Sequence, residues 1–155
     1  MKTAENNELS ASVREAKKRD VISCFFSLLK RYPNEKIEDI FKRMENAPAP
    51  QYYATVENAR RFIAIIAKGK KALPLTNERK RQMYFDIYKR WQEDCNKRGI
   101  EYLRSGGSFG YFANTSNITE DFLAKPASSF YLDFETMRQI VYRELKKKKN
   151  ENTGE

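Results

Sequence analysis

Residues 76–99 read TNERKRQMYFDIYKRWQEDCNKRG, and the spacing of their apolar side chains predicts the longest helix of the chain. These side chains recur at intervals of three and four residues, which is the period of a helix with one buried face. Thr76 or Asn77 can cap the start of this helix, and Gly99 stands where a helix ends. Five residues form its buried stripe: Tyr84, Ile87, Tyr88, Trp91 and Cys95. A mainly α fold is therefore expected around this segment.

The same period predicts two helices in the N-terminal part of the chain. The first runs from about Ser12 to Arg31, and Pro33 stops it because proline cannot continue a helix. Asn34 can cap the second helix, which ends before Pro48. Nine residues are predicted to face inward: Val21, Phe25, Leu28, Leu29, Tyr32, Ile37, Ile40, Phe41 and Met44.

Two further helices follow from cap residues and apolar spacing. Thr55 caps a helix that ends at Gly69, and Asp133 caps the last helix of the chain. A short helical turn is predicted near residues 120–124. Ten residues of the two helices are predicted to face inward: Val56, Ala59, Phe62, Ile63, Ile66, Phe134, Met137, Ile140, Val141 and Leu145.

The length and composition indicate one folded domain. The chain has 155 residues, of which 40% are hydrophobic, enough to bury a core without disulfides or metals. We expect a single compact domain of about five helices over residues 12–145. Residues 1–11 are predicted to be a disordered N-terminus, and residues 146–155 a charged flexible tail.

The residue inventory argues against several catalytic chemistries. Histidine is absent and only two cysteines are present, so Ser-His-Asp triads, Cys-His dyads and His/Cys zinc sites are excluded. No cofactor or metal site is indicated, and we expect a protein that is not an enzyme. The N-terminus does not have the pattern of a secretory signal, and the longest apolar runs fall short of the roughly 20 residues that cross a bilayer. A cytoplasmic location without a membrane partner is therefore expected.

A short motif occurs twice, 78 residues apart. Residues 48–53 read PAPQYY and residues 126–131 read PASSFY, and each copy leads into a capped helix with Glu and Arg at matching positions. Two interpretations remain open. The motif is either a trace of an internal duplication or a recurrent way of starting a helix after a proline.

The net charge of +9 is concentrated in the middle of the chain. Residues 58–104 contain 13 Lys and Arg against 5 Asp and Glu. Six basic residues lie where the third helix meets the fourth: Lys68, Lys70, Lys71, Arg79, Lys80 and Arg81. Three of them crowd the first turn of the fourth helix, where the helix dipole is already positive and a bound phosphate would be favourable. This junction is the predicted anion-binding site.

Other charges have a structural explanation in the sequence. Further along the fourth helix, acidic and basic residues alternate at i, i+4, which predicts ion pairs Asp86–Arg90, Glu93–Lys97 and Asp94–Arg98. The run Lys146–Lys149 is attributed to the preference of a helix C-terminus for cations. Residues 104–112, RSGGSFGYF, could cradle a phosphate or stack on bases, but the segment lacks the P-loop ending, so a mobile surface loop is the preferred interpretation.

Two functions remain as hypotheses. The first is a non-enzymatic accessory or regulatory protein that binds nucleic acid, DNA in preference to RNA, through the phosphate backbone at the basic junction. In this hypothesis the C-terminal lysines add to the affinity. The second is a structural or adaptor protein of a larger assembly, such as a phage or mobile-element particle, whose basic surface meets an acidic protein partner. The sequence leaves the oligomeric state open.

Overall fold

The computed structural model describes residues 2–69, 73–104 and 115–153. Six α-helices account for most of them: α1 Lys2–Arg31, α2 Ile37–Glu45, α3 Val56–Ala67, α4 Glu78–Arg104, α5 Glu120–Leu123 and α6 Phe134–Thr153. A 3₁₀ turn, Thr115–Asn117, precedes α5. The prediction of a mainly α fold is confirmed.

The predicted caps of three helices are confirmed. The Thr55 hydroxyl accepts a hydrogen bond from the backbone N–H of Asn58, and α3 follows it. Asn77 accepts from the N–H of Lys80 at the start of α4, and Asp133 accepts from the N–H of Thr136 at the start of α6. These contacts satisfy amides that the first turn of a helix leaves without a partner.

The end of α3 at Gly69 was also predicted from the sequence. Gly69, the second residue after the helix, has φ 80°, which lies in the left-handed region that favours glycine. Its N–H donates to the carbonyl of Ile66. The chain therefore turns away from the helix at the predicted residue.

Two predicted boundaries are wrong. The N-cap of α2 is Lys36, not Asn34, because the chain first makes a turn in which the N–H of Glu35 donates to the carbonyl of Tyr32. Nor does α4 end at Gly99, which is buried inside the helix. A glycine inside a helix costs only about 1 kcal/mol relative to alanine, and packing of its neighbours offsets this.

The outer helices are longer than the apolar spacing indicated. The start of α1 lies at Lys2 rather than near Ser12, and α6 continues to Thr153, past the predicted end at Leu145. The division into a disordered start, a helical domain and a flexible tail stays a prediction.

The helices form two compact units. Unit 1 comprises Met1–Tyr53 and Lys125–Glu155, and unit 2 comprises Ala54–Ala124. In unit 1, the helices α1, α2 and α6 pack against one another, and in unit 2, α3 packs along α4 and against the 3₁₀ turn. Each unit thus combines helices from both halves of the chain, because α6 completes unit 1 and α3 belongs to unit 2.

The core of unit 1 is built around Phe41. Its ring is stacked on Phe25 at 5.1 Å between centroids and meets the edges of Phe134 and Tyr142 at 5.7 and 5.9 Å. The predicted inward residues Ile37 and Leu145 are not part of this core, since 40% and 38% of their surfaces are exposed. Seven buried residues of the three helices are Val21, Phe25, Ile40, Phe41, Met44, Met137 and Val141.

Unit 2 is held by apolar packing and by a polar cluster at the 3₁₀ turn. The rings of Phe62 and Tyr84 are 4.6 Å apart and join α3 to α4. Asn117 accepts a hydrogen bond from the indole N–H of Trp91 at 2.9 Å and donates to the Asp94 carboxylate at 2.7 Å. The predicted ion pair Asp94–Arg98 is present at 3.2 Å. Among the stripe residues predicted for α4, those buried are Tyr84, Ile87, Trp91 and Cys95.

The two copies of the Pro-aromatic motif lie side by side in unit 1. Ala49 donates its N–H to the carbonyl of Ala127 at 3.0 Å, and Ala127 donates to the carbonyl of Ala49 at 2.9 Å. The pairing is antiparallel and both alanines are 2% exposed. The repeated sequence therefore forms a pairing between its own two copies.

The aromatic residues of the two copies pair reciprocally. Tyr52 stacks on Tyr131 at 6.4 Å, and Tyr53 stacks on Phe130 at 6.0 Å with the planes 6° apart. The first ring of each motif thus contacts the second ring of the other. A local two-fold relation between the copies produces this arrangement.

The helices do not have the character of membrane spans. Within residues 2–69, 73–104 and 115–153, no helix combines the length and the apolar character that crossing a bilayer requires.

Candidate nucleic-acid interface

The structure describes four of the six residues of the predicted basic junction, and all four belong to unit 2. Lys68 is the C-cap residue of α3, and its side chain is exposed. Lys70 and Lys71 lie outside the described residues. The remaining three lie on the first turn of α4: Arg79, Lys80 and Arg81.

The three cations of this turn differ in exposure. Lys80 is exposed, whereas Arg79 and Arg81 are half-buried. Successive residues of a helix project about 100° apart, so the three side chains spread around the helix axis and do not share one face. The structure thus brings three cations to one helical turn, and Lys68 lies at the end of the helix that packs against it.

Glu78 offsets part of this charge. Its carboxylate lies 3.6 Å from a terminal guanidinium nitrogen of Arg81, but 84% of the Glu78 side chain is exposed. Exposed ion pairs contribute about 0–1 kcal/mol and weaken in salt. The Nε of Arg81 is buried and has no hydrogen-bond partner in the part of the chain that the structure describes.

The backbone amides of the turn are less available than the sequence indicated. Asn77 accepts the N–H of Lys80 with its side chain and the N–H of Arg81 with its carbonyl. A phosphate at this helix start would therefore be bound mainly by side chains. The helix dipole still contributes, because it depends on all peptide units of the long α4.

The charge of unit 2 agrees with this location. Residues 54–124 contain 13 Lys and Arg against 8 Asp and Glu, a net charge of +5. Some of these cations have structural contacts. Arg60 donates from Nε to the carbonyl of Ile118 and from its terminal nitrogen to that of Ser116, and the guanidinium of Arg61 lies 4.7 Å from the ring centroid of Phe62. The α4 turn is thus distinguished by three consecutive cations.

The structure corrects the explanation of the run Lys146–Lys149. All four lysines are exposed, but α6 continues to Thr153 and its last turn contains no basic residue. The helix dipole acts within the last turn, so it does not account for lysines placed before it. From the sequence alone this run has only a supporting part in binding, because the end of α6 was predicted at Leu145. The other candidate segment, residues 104–112, lies almost wholly outside the described residues.

A small cleft of about 220 Å³ lies in unit 1, and seven residues line it: Asp20, Ser23, Cys24, Ser27, Pro48, Pro50 and Phe130. The carboxylate of Asp20 accepts a hydrogen bond from the Tyr53 hydroxyl at 2.6 Å. Burial raises the pKa of Tyr53, and the bond to Asp20 raises it further. Burial also raises the pKa of the Cys24 thiol, which keeps the thiol protonated and weakens it as a nucleophile.

Comparison of the chain with protein-family models, with curated proteins and with solved structures found no match. Among the residues that the structure describes, no three His, Cys, Asp or Glu side chains come together as metal ligands.

Proposed function

We propose that this protein is a cytoplasmic, non-enzymatic accessory or regulatory protein that binds duplex DNA through the phosphate backbone. The contacts come from Lys68 and from the first turn of α4. The observation that carries the proposal is the run Arg79, Lys80 and Arg81 in that turn, which contains a single acid, Glu78.

The energetics favour an anionic ligand at this turn. A cation at a helix N-terminus opposes the helix dipole by about 0.3–1 kcal/mol, and three neighbouring cations also repel one another. A bound phosphate reverses both effects because it adds negative charge at the positive helix end. The exposed Glu78–Arg81 pair is weak, so displacing it costs little.

Binding to a mixed-sequence duplex, measured by fluorescence anisotropy over a range of salt, tests the proposal. We expect the affinity to fall steeply between about 50 and 200 mM salt, because each phosphate that a cation neutralises releases counterions. A variant with Lys68, Arg79, Lys80 and Arg81 replaced by glutamine should lower the slope of log K against log salt by about 1 for each phosphate that is no longer neutralised.

The matched control removes the same charge elsewhere. Glutamine replaces four exposed lysines of unit 1: Lys18, Lys30, Lys36 and Lys42. This variant should keep most of the affinity and nearly the whole salt slope. The proposal fails if the wild-type protein does not bind at about 50 mM salt, or if the two variants lose affinity equally.

A second function, as a structural or adaptor protein, is favoured by exposed apolar side chains in unit 1. Four large apolar residues there are more than a third exposed: Phe26, Ile37, Tyr142 and Leu145. Contact with another protein would cover such side chains. Light scattering separates the two functions, since discrete oligomers without affinity for DNA would support the adaptor function.

A further inference from the structure

The two halves of the chain correspond to each other in structure at the same 78-residue shift as the repeated motif. In each half a helix leads into the motif, the motif pairs through an alanine, and a capped helix follows. The caps also match: Thr55 accepts from the N–H three residues ahead of it, and Asp133 does the same. This correspondence covers three successive structural features, which is more than a shared way of starting a helix.

The correspondence continues through the third helix of each half. Ala59 and Ile63 are buried in α3, and the positions 78 residues later, Met137 and Val141, are buried in α6. The packing roles correspond as well. The third helix of the first half, α3, belongs to the unit that contains α4 and α5. The third helix of the second half, α6, belongs to the unit that contains α1 and α2.

At the same 78-residue shift, Lys68 corresponds in sequence to Lys146. Lys146 and the three lysines after it are exposed on α6, as Lys68 is at the end of α3. One substitution explains why the two helices end differently. Gly69 ends α3 with a positive φ, and its counterpart is Lys147, which lets α6 continue to Thr153.

We propose that the chain is a tandem duplication and that Lys146–Lys149 form a second site for the DNA phosphate backbone, at the position on α6 that corresponds to Lys68 on α3. This inference rests on the proposed function and adds a second contact region to it. The lysines lie outside the last turn of α6, so the helix dipole does not explain them. The Nζ of Lys148 lies 5.9 Å from the ring centroid of Phe26, and the Lys148 side chain is exposed.

The test replaces Lys146, Lys147, Lys148 and Lys149 by glutamine, which keeps helix propensity while removing four charges. Binding to the mixed-sequence duplex is compared with the wild type, the Lys68/Arg79/Lys80/Arg81 variant and the unit 1 control. We expect the α6 variant to lose at least about tenfold in affinity near 100 mM salt and to lower the salt slope by about 2 or more. The loss should be within about threefold of that of the Lys68/Arg79/Lys80/Arg81 variant.

Replacement of the same four lysines by arginine keeps the charge and should retain wild-type binding. Circular dichroism of each variant checks that the helices are intact. If the wild type binds but the α6 variant behaves like the unit 1 control, the second site is overturned while the proposed function stands. If only the α6 variant loses affinity, the proposed site at Lys68 and the start of α4 is overturned and the site at Lys146–Lys149 stands. If the wild type does not bind, both proposals fall.

Discussion

Ala49 and Ala127 exchange both of their backbone hydrogen bonds, at 3.0 and 2.9 Å, although they lie 78 residues apart in the chain. Both side chains are 2% exposed, so the two segments approach closely at this point. We predict that Ala127→Leu lowers the free energy of unfolding by about 1–3 kcal/mol, because there is little space for a larger side chain. Urea denaturation measures the change. The control is Ala124→Leu at an exposed position of the same connection, and an equal loss in both variants would contradict a specific requirement at the pairing.

Asn117 links α4 to the 3₁₀ turn because it both accepts from Trp91 and donates to Asp94. Asn117→Asp replaces the donor by a carboxylate that faces the carboxylate of Asp94. We predict a loss of about 1–3 kcal/mol of stability near neutral pH, because a hydrogen bond is lost and two like charges meet. The loss should shrink below about pH 4 as the introduced carboxylate takes up a proton. Thermal unfolding at both pH values tests this, and a loss independent of pH would count against charge repulsion.

Buried tyrosines predict a loss of stability in alkali. Burial raises the pKa of Tyr84 to about 12, whereas an unfolded tyrosine titrates near about 10. The folded state therefore holds its proton more tightly, and the resulting stability is complete below about pH 10 and is lost as the pH rises toward about 12. Tyr53, whose pKa is raised by burial and by Asp20, adds to the decrease. Over this pH range the free energy of unfolding of Tyr84→Phe, measured by urea denaturation, should fall less steeply than that of the wild type. Identical profiles would contradict the attribution of the loss to Tyr84.

The distribution of helices between the units predicts that the protein stays assembled when the chain is cleaved between α3 and α4. A protease site inserted after Lys71 separates the chain into one fragment with α1–α3 and another with α4–α6. Because α6 packs on α1 and α2, and α3 packs on α4, the fragments should remain together after cleavage. Gel filtration of the cleaved protein without denaturant tests this, with the uncut insertion variant as the control. Fragments that elute separately would contradict the packing.

Local signals predicted the helix boundaries best. Thr55, Gly69 and Asp133 act on amides or carbonyls a few residues away, so the sequence around each is sufficient to place it. Gly99 was misread because its environment is determined by packing, and the same glycine that ends a helix at the surface is tolerated inside one. Asn34 failed because a turn back to Tyr32 takes precedence over a cap.

The candidate site was predictable in composition but not in geometry. The sequence places three cations on the first turn of α4, and the structure agrees. The sequence did not decide between Thr76 and Asn77 as the cap, and it could not show that Lys80 is exposed while Arg79 and Arg81 are half-buried, because exposure depends on the packing around the helix start. The pairing of Ala49 with Ala127 was also out of reach, since a contact between distant segments leaves only a repeated motif in the sequence.

The contribution of α6 to unit 1 has a consequence for synthesis on the ribosome. Residues 54–124 of unit 2 are contiguous, so all of its helices have been translated before α6 exists. In unit 1, α1 and α2 can pack on each other early, but the helix that packs on both of them is made last. The side of Phe41 that Phe134 and Tyr142 of α6 contact is therefore accessible to chaperones and to other nascent chains through most of translation.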